Sequence, residues 1–287
     1  MAKKNKKNST SRHKKTGKGK TPVKSGPKKA ELADRHILYQ DSVQNVESEI
    51  DFVEETFKAI RGRDATIIRE DFCGTANTSC EWIRRGKDHL AIGVDLEPSV
   101  LEWGKEHNLS KLTPEQQKRI TLHEDNVLTV DTGKVDATLA MNFSYWCFKD
   151  RSVLRDYFKK VHKTLNDDGI MFLDSFGGYE AFQLMEEEHD YDGFTYVWDQ
   201  AHYDPITGDC TCHIHFKFKD GSKMKEAFTY EWRLWTLPEI QEILKEAGFS
   251  KVTIYWDTAE DDDDENFEPS IHGEPYAGWL AYIVAEK

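Results

Sequence analysis

The sequence predicts an α/β fold: a seven-stranded, mostly parallel sheet with helices on both faces. Three observations carry this reading. Short β-type runs alternate with amphipathic helical runs between residues 46 and 185. Two more strand runs, Val252–Trp256 and Trp279–Val284, follow a strongly signalled helix near the C-terminus. Of the 287 residues, 38% are hydrophobic and 12% aromatic, enough for a packed core.

The elements follow in order. Residues 1–30 hold Lys, Asn, Ser, Thr, Gly and Pro with almost nothing to bury, and read as a disordered basic tail. Order begins near Glu31, and residues 31–287 read as one domain. A helix covers 46–60, with Val46, Ile50, Phe52, Val53, Phe57 and Ile60 tracing its apolar face. Ala65–Glu70 is the first strand; Gly74 then opens a helical stretch that ends near Gly86. Leu90–Asp95 is the second strand, and a helix runs from about Ser99 to His107. Arg119–Glu124 and Val135–Asn142 are the third and fourth strands. Val153, Leu154, Tyr157, Phe158, Val161 and Leu165 mark the next helix, Asn166–Gly169 a turn, and Gly169–Ser175 the fifth strand.

Residues 194–235 break the rhythm and read as three antiparallel strands, with turns at Asp204–Gly208 and Lys219–Ser222. Thr236 then caps a helix, with Glu239 completing a capping box, Pro238 in the first turn and Gly248 past the end. Asp257–Glu265 has seven acids in nine positions, a solvated loop or else an acidic contact or metal site.

Charge narrows the partners. The net formal charge is −13, yet residues 1–30 contain twelve Lys and Arg and no acid, so residues 31–287 carry −25. Such a body repels nucleic acid over most of its surface. The tail itself has several readings: a nuclear address, an RNA or ribosome contact, an anionic-surface contact, or a solubilising segment with no partner. No apolar run approaches the roughly 20 residues of a membrane span, and the N-terminus lacks a signal-peptide apolar region. Five cysteines, an odd number, suit free thiols in a reducing compartment. The expectation is a cytoplasmic protein, or a nuclear one if the tail is a targeting signal.

The strongest motif is Ile67–Ala76, reading IIREDFCGTA, where a strand ends, the chain turns at Gly74 and a helix opens. That edge is where open α/β sheets bind ligands. The stretch resembles motif I of class I S-adenosylmethionine (SAM)-dependent methyltransferases, a Rossmann-like family. Glu70 matches the family's acid and Cys73-Gly74-Thr75 its centre, while Phe72 and Ala76 stand where the family has glycine. Asp95 ends the second strand 21 residues after Gly74, where an acid can accept hydrogen bonds from both ribose hydroxyls. The bland alternative is that Asp95 only caps the next helix.

The resemblance implies SAM as cofactor, S-adenosylhomocysteine as product, and strand order 3-2-1-4-5-7-6 with the last strand antiparallel. It implies cofactor contacts at Glu70, Cys73, Gly74, Thr75, Asp95, Leu96, Asp125, Asn126 and Asn142, with Asp125 toward the adenine and Asn142 beside the transferring methyl. A nicotinamide dinucleotide would need three glycines at the first turn, and this loop has one.

Acceptor contacts are drawn from Tyr39, Trp198, His213, His215 and Arg233. Tyr196, Trp198, Tyr203, Phe228, Tyr230, Trp232 and Trp235 form either a cage for a cationic amine or the core of a small sheet. Cys210, Cys212, His213 and His215 resemble a metal cluster, but strand alternation sends the cysteines and histidines to opposite faces. No metal is expected. Asp199, His213, His215 and Glu231 are unranked candidates for a general base. Three functions follow: a methyltransferase with a small-molecule acceptor; one acting on RNA or a nucleic-acid-associated protein through the tail; or a non-catalytic binding protein, which the two missing glycines suggest.

Overall fold

The structure is a computed structural model that describes residues 26–259 and 266–287. The predicted disorder of the tail and most of the acidic run lie outside these residues. Three short helices or helical starts come first: α1 (Lys29–Leu32), α2 (Arg35–Ser42) and α3 (Val46–Arg61). The alternating core follows as β1 (Ile67–Asp71), α4 (Asn77–Arg85), β2 (Leu90–Asp95), α5 (Pro98–His107), α6 (Pro114–Gln117), β3 (Ile120–Glu124), β4 (Val135–Ala140), α7 (Arg151–Thr164) and β5 (Leu165–Gly177). Four antiparallel strands come next: β6 (Met185–Tyr191), β7 (Phe194–Tyr203), β8 (Asp209–Phe218) and β9 (Lys223–Arg233). The chain closes with α8 (Leu237–Ala247), β10 (Lys251–Asp257), β11 (Phe267–Ser270) and β12 (Trp279–Glu286).

The large sheet runs β11-β10-β12-β5-β4-β1-β2-β3. Its parallel part has the implied order, with β12 antiparallel between β5 and β10. The sheet has eight strands rather than seven, because Phe267–Ser270 doubles back on β10. Pro269 sits in this edge strand, the position in a sheet where a missing donor is tolerated. Asn166–Asp168 belong to β5 rather than to a separate turn, so that strand starts where α7 stops.

Both faces are covered. Ile50, Val53 and Phe57 of α3, with Trp82 and Ile83 of α4, pack on Ile68, Ala137, Leu139 and Phe172. Leu154, Tyr157, Phe158 and Val161 of α7, with Ile240, Ile243 and Leu244 of α8, cover the other face. Each such side chain contributes about 1.5–3 kcal/mol when fully buried. α8 starts and stops as its sequence requires: Thr236 and Glu239 form the capping box, and Gly248 takes φ 112°.

The small sheet has four strands where three were expected, and it begins at Met185 rather than residue 194. β6 reads MEEEHDY and is exposed along almost its whole length, so apolar alternation could not announce it. Its partner α2 lies on the same sheet. Leu38 packs with Phe194, Ile214, Phe216 and Ala227. The Lys29 and Ala30 amides donate to Asp220 and Ser222, so the ordered chain includes the last residues assigned to the tail.

Candidate functional site

At the carboxyl edge of β1 the chain makes a tight loop into α4. Phe72 (φ 59°), Gly74 (φ 51°) and Ala76 (φ 55°) are all left-handed. The two residues that replace family glycines therefore adopt the backbone a glycine favours, at a cost of roughly 1–2 kcal/mol each. Phe72 gains packing in return against Phe148 and Tyr157. α5 presses on the loop from outside. A Cβ added at Gly104 would meet the Thr75 carbonyl oxygen at 2.5 Å, so only glycine fits there.

The loop lines a cavity of about 370 Å³ together with Glu70, Asp71, Asp95, Val100, Leu139, Met141 and Asn142. Glu70 is buried and accepts hydrogen bonds from the amide and hydroxyl of Ser79 in α4. Burial outweighs those bonds and pushes its carboxyl up to about 7. Asp95 accepts from the Gly74 amide at 2.8 Å and the Glu97 amide at 2.9 Å, which ties the first and second strand ends together. Asp95 thus does cap the next segment, and it faces the cavity as well. The Cys73 thiol, packed beside Gly93, is pushed well up by burial and by the nearby carboxylates.

Beneath this cavity lies a buried network absent from the predicted set. Arg69 Nε donates to Asp71 Oδ1 at 2.6 Å, and Tyr157 donates to Asp71 Oδ2 at 2.8 Å. Arg69 also donates to the Val127 carbonyl, which ties β1 to the loop after β3.

Leu96, Asp125 and Asn126 stand at the same sheet edge but outside the cavity lining. Leu96 is exposed, Asp125 caps the Asn126 amide, and Asn126 caps the Leu128 amide. Their strand positions are as expected; past the last ladder bond, side-chain direction follows local turn bonds instead of strand alternation.

β4 ends in an unusual turn. Asn142 (φ 55°) and Phe143 (φ 56°) are both left-handed, and both amides donate to the Asp174 carboxylate, at 2.7 and 2.9 Å. Asp174 is buried at the end of β5, and burial pushes its carboxyl up to about 7 despite these bonds. Sequence reading missed it, since nothing local distinguishes Asp174 from any acid closing a strand.

A second cavity of about 540 Å³ lies under the small sheet. Tyr196, Trp198, Ile214, Tyr230 and Trp232 form one wall; Phe143, Phe176 and Trp279 form the other. Tyr39, Asn142, Tyr230 and Trp232 line both cavities and so mark where they meet. Of the predicted aromatic set, Tyr196, Trp198, Phe228, Tyr230 and Trp232 face a cavity. Trp235 is core, and Tyr203 packs edge-on against Phe182.

The predicted acceptor residues divide. Tyr39 and Trp198 line the second cavity. His213 and His215 do not line either cavity. They share the outer face of β8, where His213 meets Thr229 and His215 meets Asp199 at 3.2 Å. Cys210 and Cys212 are buried on the inner face, so the expected separation of the two pairs holds. Arg233 lies outside both cavities: it stacks on Trp235 at 3.7 Å and bonds Glu239, fastening β9 to α8. The proposed bases Asp199 and Glu231 also stay outside.

α2 spans the two cavities, and sequence reading placed only Tyr39 there. Gln40 donates to Thr75 Oγ1 at 2.9 Å, and Gln44 accepts from Asn77. Asp34 accepts from Trp103 of α5, and Arg35 donates to the Ala227 carbonyl of β9. The Tyr39 hydroxyl is hydrogen-bonded to Tyr230, and burial pushes it up to about 12.

No family model matches the chain, and no curated protein is similar to it in sequence. Solved structures are. A SAM-dependent methyltransferase from Clostridium acetobutylicum superposes with TM-score 0.66 at 17% identity, covering 88% of this chain and 96% of that one. A sugar N-methyltransferase from a Streptoalloteichus species gives TM-score 0.61 at 16% identity, covering 95% and 98%. An amino pentose methyltransferase from Micromonospora echinaspora, solved with SAM bound, gives TM-score 0.62 at 14% identity, covering 88% and 95%. At these identities the likeness is one of architecture: this chain has the Rossmann-like fold of the SAM-dependent methyltransferases.

Proposed function

We propose that the protein is a SAM-dependent methyltransferase with a small-molecule acceptor. The observation that carries this is the pair of cavities joined at Tyr39, Asn142, Tyr230 and Trp232. One cavity suits the cofactor. Glu70 and Asp95 supply carboxyl acceptors for polar groups, and Val100, Leu139 and Met141 supply apolar wall. Both volumes fall within the ~300–1,000 Å³ of small-ligand sites. The fold it shares with an amino pentose methyltransferase and a sugar N-methyltransferase supports a nitrogen acceptor of modest size.

SAM, when bound, supplies an electrophilic methyl group on a cationic sulfur. The chain's own part is to hold, align and dry. Asp95 would accept from the ribose, and Glu70 would face the cationic methionine end. Asn142 stands at the junction, its backbone fixed by Asp174. The aromatic walls exclude water and favour a cationic guest. Alignment of this kind contributes about 7–11 kcal/mol to a displacement. The nucleic-acid alternative rests on residues 1–30, most of which lie outside the described residues.

Calorimetric titration with SAM and S-adenosylhomocysteine tests the reading. Micromolar binding is expected, weakened at least about tenfold, or roughly 1.4 kcal/mol, in Asp95→Ala. A folded wild type that binds neither compound refutes it.

A further inference from the structure

We infer that the acceptor carries a second cationic nitrogen, remote from the one that is methylated. This rests on the methyltransferase reading above. Among the described residues, the second cavity has ionisable groups only at Tyr39, Glu180, Glu187, His189, Tyr196 and Tyr230, with no Lys or Arg in its lining. Neither glutamate is ion-paired with a Lys, Arg or His among the described residues, although Glu186 and Glu188, which flank Glu187, both pair with Lys217 on the outer face. The cavity is therefore negative as well as aromatic, and it selects a cation.

Position decides how many charges that cation has. Glu187 and His189 lie on β6, the free edge of the small sheet, opposite Trp198 and Tyr196. Tyr230 and Trp232, at the junction with the cofactor cavity, lie on β9, the other edge. Three strand spacings separate β6 from β9, about 14 Å between backbones and on the order of 10 Å once side chains reach inward. Glu180 is on the far side too, since Gln200 of β7 binds the Glu180 and Gln183 carbonyls.

A nitrogen held by these carboxylates stays protonated, because an adjacent anion favours the charged form. Such a nitrogen has no free lone pair and sits too far from the junction to react. The methylated nitrogen must enter as the free amine, its proton lost to water. Its lone pair then forms the nitrogen–carbon bond while the carbon–sulfur electron pair goes to sulfur. One nitrogen cannot fill both roles. The acceptor class is an extended diamine or polyamine-like molecule that lies along the aromatic wall formed by Tyr196, Trp198, Tyr230 and Trp232.

The test uses the full-length protein loaded with S-adenosylhomocysteine. It is titrated with α,ω-diaminoalkanes from butane to dodecane and with the matching monoamines. Affinity should peak at an intermediate diamine, at least about tenfold above the monoamine of the same length. Glu180→Gln/Glu187→Gln should abolish that advantage and leave S-adenosylhomocysteine binding and melting temperature unchanged. A flat series, or an advantage that survives the double substitution, overturns the inference. S-adenosylhomocysteine binding is read in the same cell before the amine is added. Failure of the cofactor reading therefore appears as a missing first heat, not as a flat series.

Discussion

The two sheets place ligand-facing residues by different means. In the eight-stranded sheet the first cavity is built at strand ends, where β1 and β2 stop and loops begin. In the four-stranded sheet the second cavity is built on a strand face, from alternate residues of β6, β7 and β9 with Ile214 of β8. An end-built site depends on backbone conformation and tolerates few changes. A face-built site depends on side chains and can be re-cut residue by residue without disturbing the ladder. One sheet can therefore hold a fixed ligand while the other changes acceptor.

The comparison breaks hardest at Gly104. Gly104→Ala drives a Cβ into the Thr75 backbone, and the loop has nowhere to go because Asn108 Nδ2 also holds the Thr75 carbonyl. A loss of about 1–3 kcal/mol in stability is expected from the overpacking, with cofactor binding lost alongside. Denaturant melts and SAM titration of the variant would check both. Unchanged cofactor affinity would show that the loop is softer than an end-built site requires.

Asp174 gives a smaller, pH-dependent effect. Its folded pKa of about 7, like that of Glu70, lies above the unfolded value. Groups raised in this way favour the fold fully below their unfolded pKa, and that contribution is lost as pH rises through about 7. Ligand-free protein should therefore lose melting temperature between roughly pH 4 and 7. Glu70→Gln should flatten the slope. A profile unchanged by the substitution would remove Glu70 as its source.

The smallest effect is expected on the outer face of the small sheet. His213→Ala should alter stability by no more than about 0.5 kcal/mol and leave methyl transfer intact, since that face meets neither cavity. A large loss of turnover would mean that the outer face, too, contacts a ligand.

The same contrast explains what could be read from sequence. The cofactor side was legible because its residues are local: Gly74 and Asp95 are 21 positions apart and meet across one ladder, with Gly74 donating to Asp95. The lost glycines at Phe72 and Ala76 looked like damage, but the left-handed backbone survives beneath different side chains. Alternation separated Cys212 from His213. It could not say which face was covered, so His213 and His215 were expected near the acceptor when the cavity lies on the cysteine side. β6 and the Glu180 turn escaped notice because an acidic edge strand has no apolar period. The contacts of α2 escaped because they join residues more than thirty positions apart.

α2 is fastened to one sheet through Gln40 and Thr75 and to the other through Tyr39 and Tyr230. Two ligands that rest against one helix are thermodynamically linked. A ligand that shifts α2 shifts a wall of the other cavity as well, since Tyr39 lines both. The factor by which the cofactor tightens the acceptor must equal the factor by which the acceptor tightens the cofactor. On this view the helix makes the two binding events cooperative, so that an acceptor seldom stays where no methyl donor is waiting.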